Sequence, residues 1–281
     1  MLRSRRSFAW SLVLALLCAT LAVAQEPLII RAAANTYVVD TAQDTNLAAN
    51  PSACTTVAPD KDCTLRQAIE KANSDTGTSD IVFNIPPDPD PDYNYNSSTD
   101  TWTINPQSSL PALGAGGTTI VGRNDNAVGT PRIVLDGSAL IGGGVGIRIT
   151  SAGNAVKQLI IIMFGGTSGT TGIGIRLNNA TATGNIIAGN YIGNRPGDPA
   201  AHPNVRAGIQ IDAGATGNFI GIGTNPGDRN VISGNGNLTS RGDGILVQNA
   251  PNNTIQGNYI GLGLNASFTT IALPNTGNGI D

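Results

Sequence analysis

The chain has 281 residues, of which 36 are Gly, 12% are charged and 4% are aromatic, with a formal net charge of −3. It is too apolar for a disordered chain, and its wealth of Gly and Asn excludes a bundle of long helices. The acidic balance argues against nucleic acid or an anionic lipid surface as partner.

Residues 1–24 read as a signal peptide. "MLRSRR" is a basic start, "SFAWSLVLALLCATL" is an apolar run, and "AVA" before Gln25 is a small-x-small cleavage site. The run is too short and too early for a spanning helix, so no transmembrane segment is expected after cleavage. Cys18 could mark lipid attachment, but Leu17 stands where a small residue would be needed. Loss of Arg3, Arg5 and Arg6 takes the net charge from −3 to −6. The expected localisation is secreted or cell surface.

Residues 25–110 are predicted to form an N-terminal cap module. "TYVVD" (36–40) and "DIVFNIP" (80–86) read as strands flanking one short α-helix in "CTLRQAIEKAN" (63–73). Thr64 and Gln67 have capping-box spacing, and Leu65, Ala68, Ile69 and Ala72 fall on one face. Cys54 and Cys63, the cysteines left after cleavage, are predicted to form a disulfide closing the "TTVAPDKD" loop. A metal site there lacks further ligands, because the single His, His202, lies far along the chain. In "PPDPDPD" (86–92) the prolines hold the carboxylates apart, against the convergence that Ca²⁺ requires, so a solvated loop is expected. Tyr93, Tyr95 and Trp102 nearby are candidates for stacking on sugars.

From residue 111 to 281 the sequence repeats. Gly-Ile pairs occur at Gly146-Ile147, Gly174-Ile175, Gly208-Ile209, Gly244-Ile245 and Gly279-Ile280, at intervals of 28, 34, 36 and 35. After each of the first four, apolar residues alternate at period two, which predicts a strand with one buried face. The inward set is Ile147, Ile149, Ile175, Leu177, Ile209, Ile211, Ile245 and Val247. About ten residues later stand Asn185, Asn218 and Asn253, with "KQLII" (157–161) filling that place in the earliest unit. These asparagines are expected to adopt the left-handed conformation at a corner and to stack into a structural column bonded along the shaft. Further strands such as "NVISGN" (230–235) complete a coil of three short strands. Long-loop coils carrying "GNYIG" alternate with a coil carrying "IGIGTNPGDRNVISGN", so the paired unit repeats at about 70 residues. No helical crossover intervenes. The predicted fold is all-β, a right-handed parallel β-helix solenoid with that cap at its N-terminal end.

The "NxIxGNYIG" and "RNVISGN" units resemble those of secreted bacterial right-handed parallel β-helix proteins of the pectate-lyase-like superfamily. "CTLRQA" resembles the CSLREA motif near the N-terminus of many such proteins, with Thr64 for Ser and Gln67 for Glu. The resemblance spans roughly residues 36–281 and implies architecture. It also admits polysaccharide lyases and glycoside hydrolases, and the motif marks a cap rather than a catalytic site.

Outward positions were therefore aligned for chemistry. One column reads Arg148, Arg176, Gln210, Leu246; the next reads Thr150, Asn178, Asp212, Gln248. Glycan cleavage asks for two carboxylates flanking one bond, and only Asp212 in these columns is acidic. The Arg148–Arg176–Asp212 strip is a candidate for glycan binding rather than catalysis. Asp198 and Asp228 sit in Pro-Gly turns that favour Asp for backbone reasons. "RGD" (241–243) runs into the repeat's own "GDGI", and His202 in "AAHPN" is expected to face solvent. No catalytic residue, cofactor or metal is implied. The function expected is a secreted or cell-surface scaffold for adhesion, envelope structure or extracellular glycan contact; the alternative is a polysaccharide lyase or glycoside hydrolase. Partners would be extracellular polysaccharide or cell-envelope components. Because the sequence stops just as a new Gly-Ile strand opens, the repeat array is expected to continue past Asp281.

Overall fold

A computed structural model describes residues 35–44, 54, 63–124, 131–140, 143–165, 171–223, 226–237, 240–265 and 269–281. The predicted signal peptide and the "TTVAPDKD" loop lie outside the described residues.

The chain winds as a parallel β-helix. From Thr118 to Gln248 each coil contributes a short strand to sheet 1, then to sheet 2, then to sheet 3. Sheets 1 and 2 each contain seven strands and sheet 3 contains four. Every pairing in sheets 1 and 3 is parallel. Sheet 2 is parallel except where Tyr95–Asn96 and Thr101–Ile104 form a hairpin at its start. A separate antiparallel hairpin joins Leu262–Leu264 to Thr270–Ala272. In-register stacking puts Ile147, Ile175, Ile209 and Ile245 in one line and Ile149, Leu177, Ile211 and Val247 in another. All but Val247 are fully buried, so the period-two reading of these strands holds.

The glycines of the first four Gly-Ile pairs have a steric cause. A Cβ at Gly208 would stand 2.8 Å from the Gly244 carbonyl oxygen and 2.8 Å from Ile232 Cγ2. Gly146, Gly174 and Gly244 meet the same kinds of neighbour, the next coil's carbonyl and a sheet 2 isoleucine. The corner between sheets 2 and 3 is too tight for any side chain.

Asparagines bind the coils together in three ladders. In the first, the backbone N–H and Nδ2 of Asn154 both donate to Asn185 Oδ1, at 2.7 and 2.9 Å. Asn185 repeats this to Asn218, at 3.0 and 2.8 Å, and Asn218 to Asn253, both at 2.9 Å. The second ladder runs through Asn190, Asn230 and Asn258. The third runs through Asn204, Asn235 and Asn275. Apart from Asn185, each ladder amide also donates to a backbone carbonyl, as Asn230 Nδ2 does to Ile187 O at 2.8 Å. In a dry interior such satisfaction is what makes a polar group tolerable.

Two sequence expectations need correction here. The place of Asn185 in the preceding coil belongs to Asn154; Leu159–Ile162, in the "KQLII" segment, is the sheet 2 strand that pairs with Tyr191–Ile192. The left-handed conformation falls on the residue before each first-ladder asparagine, at Gly153, Gly184, Gly217 and Asn252, with φ between 60° and 69°. That bend frees the following asparagine to remain extended with its amide aimed along the shaft.

The helix Leu65–Ser74 follows the first strand of sheet 1, Asn35–Val39. Thr64 and Gln67 form a reciprocal capping box, and Leu65, Ala68, Ile69 and Ala72 face the core. In coil order the helix occupies the place of a sheet 3 strand. Leu113 bridges to Ile149 as the outermost rung of sheet 3, and Asn73 clasps that segment through Ala112, Gly114 and Ala115. Cys54 and Cys63 are bonded, with Sγ atoms 2.05 Å apart. Strands on both sides of residue 110 share sheets 1 and 2, so the predicted boundary there coincides with no break in the sheets.

Candidate functional site

The outer face of sheet 3 carries the aligned columns. Arg148, Arg176, Gln210 and Leu246 are register partners, as are Asn178, Asp212 and Gln248. Arg176 donates to Asp212 Oδ2 through Nε at 3.1 Å and Nη2 at 2.6 Å. Gln210 Nε2 donates to the same oxygen at 2.5 Å, and Arg206 Nε braces Gln210 Oε1 at 3.2 Å. The Asp212 carboxylate is therefore held by its own neighbours. Arg148 is exposed and has no acidic partner among the described residues. It borders a hollow of about 130 Å³ with Ser109, Leu110, Ala112 and Val145.

A larger depression lies on the outer face of sheet 2. Its volume is about 390 Å³, and its lining comes from four separate stretches of sequence. Ile160 forms the floor, within an outward cluster of Val134, Ile162, Tyr191 and Val231. Thr99, Asp100 and Thr101 from the first hairpin make one wall, with Pro131 and Arg132 beside them. The residues 195–199, in the long loop between the Tyr191–Ile192 strand and Asn204, make the other. That loop is held in place: His202 N–H donates to Gly193 O at 2.8 Å, and Met163 N–H donates to His202 O at 3.3 Å.

Each carboxylate around this groove already has partners. Asp100 pairs with Arg132 at 2.5 Å and accepts the Tyr95 hydroxyl at 3.1 Å. Asp136 accepts Ser138 N–H at 2.9 Å and has Arg195 at 3.7 Å. Asp198 lies 2.8 Å from His202 Nε2 and accepts Ala200 N–H at 2.8 Å. Burial raises the Asp198 pKa, but hydrogen bonds from His202 and the Ala200 backbone outweigh it and the net shift is downward. His202, expected to face solvent, is about a quarter exposed and tied to Asp198 instead.

Other sequence candidates are accounted for by packing. Trp102 is buried with Nε1 donating to Pro86 O, Tyr93 is buried, and Tyr95 lies against Trp102 with ring centroids 4.8 Å apart. Tyr93 and Trp102 are too buried to offer a face to a sugar, and Tyr95 is half-buried against Trp102. Asp243 of "RGD" begins a strand and accepts Asn278 N–H at 2.7 Å. In the acidic loop, Asp88 and Asp90 accept the N–H groups of Asp90 and Asp92, and Asp92 is engaged by Gln43. Among the described residues there is no group of three or more side chains placed to hold a metal, and no helix long and apolar enough to cross a membrane.

Sequence alignment of columns found the sheet 3 strip because its members share one repeat phase. The groove escaped it because a hairpin in one coil and a loop three coils later meet only after winding. One signal was present, the extra length between "GNYIG" and Asn204. The chain matches no family model, no curated protein and no solved structure.

Proposed function

We propose that the chain is a secreted or cell-surface β-helix scaffold that contacts an extracellular polysaccharide without cleaving it. This is in keeping with the CSLREA-like resemblance and the predicted signal peptide. The observation that carries the reading is the sheet 2 groove: prolines beside polar and charged side chains, and a volume of about 390 Å³, within the range of small-ligand sites.

The catalytic alternative is the weaker one on chemical grounds. A general acid for glycoside cleavage needs a carboxyl whose pKa is raised, opposite a second carboxylate that stays ionised. Asp198 is shifted the other way, and Asp100 and Asp212 are each paired with an arginine. The strip and the groove thus favour binding over proton transfer.

The test is a panel of neutral and acidic polysaccharides offered to residues 25–281, with retention in affinity electrophoresis read beside reducing-end and unsaturated-product assays. Retention without product is expected. Turnover that disappears in Asp198→Asn or Asp212→Asn would promote the enzyme reading.

A further inference from the structure

Resting on the glycan-binding reading above, we infer that the sheet 2 groove takes a sugar residue bearing a tetrahedral oxyanion ester, either phosphate or sulfate. The donors and acceptors lining the groove are out of balance. Each guanidinium carries five N–H donors. Arg132 meets one carboxylate, in a pair whose side chains are 31% and 46% exposed, so a ligand can exchange for it at little cost. Arg195 lies 3.7 Å from Asp136, beyond hydrogen-bond reach. Its Nε is buried without a partner.

The acceptors are spent in contrast. Asp136 and Asp198 each take a backbone N–H, Asp198 also holds His202, and Asp100 holds the Tyr95 hydroxyl and Arg132. The groove therefore offers donors and asks for acceptor oxygens, although the chain as a whole is acidic. Two guanidiniums border one cavity. An arginine fork engages both oxygens of a carboxylate from one side and in one plane. A phosphate or sulfate ester brings a third terminal oxygen for the second fork, so it uses both Arg132 and Arg195.

The remaining lining suits the sugar to which such an ester is attached. Pro131, Pro196 and Pro199 present apolar faces for its C–H groups, and the groove lining includes no aromatic ring. A neutral sugar would lack both the ionic anchor and the stacking surface.

The experiment is isothermal titration of residues 25–281 with glucose 6-phosphate, glucose 6-sulfate, glucuronate and glucose. Arg132→Gln, Arg195→Gln and Arg195→Lys are run beside Arg241→Gln, which is exposed and lies outside both the groove and the sheet 3 strip, and thermal melts confirm that each variant is folded. At least one ester should bind, with glucuronate weaker by about tenfold or more and glucose silent. Each Gln variant in the groove should lose about tenfold, Arg195→Lys should lose less, and Arg241→Gln should change little. The stronger ester identifies the biological source. Glucuronate binding as well as the esters, or Arg241→Gln losing as much as Arg195→Gln, overturns the assignment. If no ester binds while polysaccharide is still retained, the groove assignment falls and the glycan reading stands. If neither binds, both fall.

Discussion

Arg66 grips Asp44 with two parallel hydrogen bonds, Nε to Oδ1 at 2.9 Å and Nη2 to Oδ2 at 2.7 Å, with both side chains nearly sealed from solvent. The guanidinium also donates to the carbonyls of Ser108 and Ser109, and Asp44 accepts Gln107 N–H. One arginine of the "CTLRQA" motif thus fastens the helix to the chain segments on either side. Removing it strands a buried carboxylate. Arg66→Ala is expected to cost about 3–5 kcal/mol, whereas Arg148→Ala, exposed and unpaired, should stay within about 0.5 kcal/mol. Urea unfolding of the two variants checks this; equal effects would remove the pair from the account.

The first ladder gives a second expectation. Asn218 is fully buried and takes part in hydrogen bonds to the coils on both sides. Asn218→Leu leaves the backbone N–H and Nδ2 of Asn185 without their acceptor and should cost about 1–3 kcal/mol. Gln256→Leu is the matched control, since Gln256 is exposed and its side chain makes no hydrogen bond. Thermal melts that move together would show that the ladder contributes nothing.

Two substitutions should act with opposite sign at neighbouring corners. Gly208→Ala places a Cβ 2.8 Å from a fixed carbonyl oxygen, an overpacking expected to cost about 1–3 kcal/mol. Ala213 has φ +54° at a corner where its counterparts are Asn179 and Asn249. Ala213→Asn puts a residue tolerant of that conformation there and should stabilise by about 1 kcal/mol. A melting temperature that fails to rise in Ala213→Asn would mean that the corner carries no strain.

The Tyr37 hydroxyl donates to Asp75 Oδ2 at 2.7 Å, and burial together with that carboxylate pushes the phenol up to about 12. A raised folded-state pKa adds stability below the unfolded value and loses it as pH climbs through the folded value. Stability should therefore fall between about pH 10 and pH 12. Burial alone would raise Asp75, but hydrogen bonds from Tyr37 and Ser79 hold it below the ordinary carboxylate value, so the contact also weakens in acid. Tyr37→Phe should flatten the alkaline limb of a stability–pH curve. An unchanged limb would assign that loss to other groups.

Reducing the Cys54–Cys63 bond should lower stability by about 2–3 kcal/mol, the amount expected for opening a short loop. Non-reducing mass spectrometry establishes the bridge, and melts with and without reductant measure its effect. Two free thiols in the air-oxidised protein would contradict the prediction.

Most of the shaft was legible because its physics is local and periodic. Alternation in "GIRIT" or "GIQID" states which side chains face inward, and equal spacing states which strands stack. Asn185, Asn218 and Asn253 share one phase and were visible for that reason. Asn204, Asn235 and Asn275 were not, because loops of unequal length hide their phase. The capping box at Thr64 and Gln67 could be read, being contained in four residues. The partner of Arg66 could not, since Asp44 lies 22 positions away with no repeat to align it. The groove depends on loop lengths and winding together, and neither is a pattern in one strand.

The ladders also set where the chain is free to change. Between first and second ladder, five positions separate Asn185 from Asn190 and Asn253 from Asn258, but twelve separate Asn218 from Asn230. Between second and third the order reverses: Asn230 to Asn235 spans five, Asn190 to Asn204 fourteen, and Asn258 to Asn275 seventeen. Adjacent turns of the shaft thus carry their extra residues at alternate corners, where two bulky excursions never compete for the same space. A lineage of such proteins could lengthen, shorten or replace any excursion while every amide clamp closes as before, and could acquire new surface chemistry with the interior left as it stands.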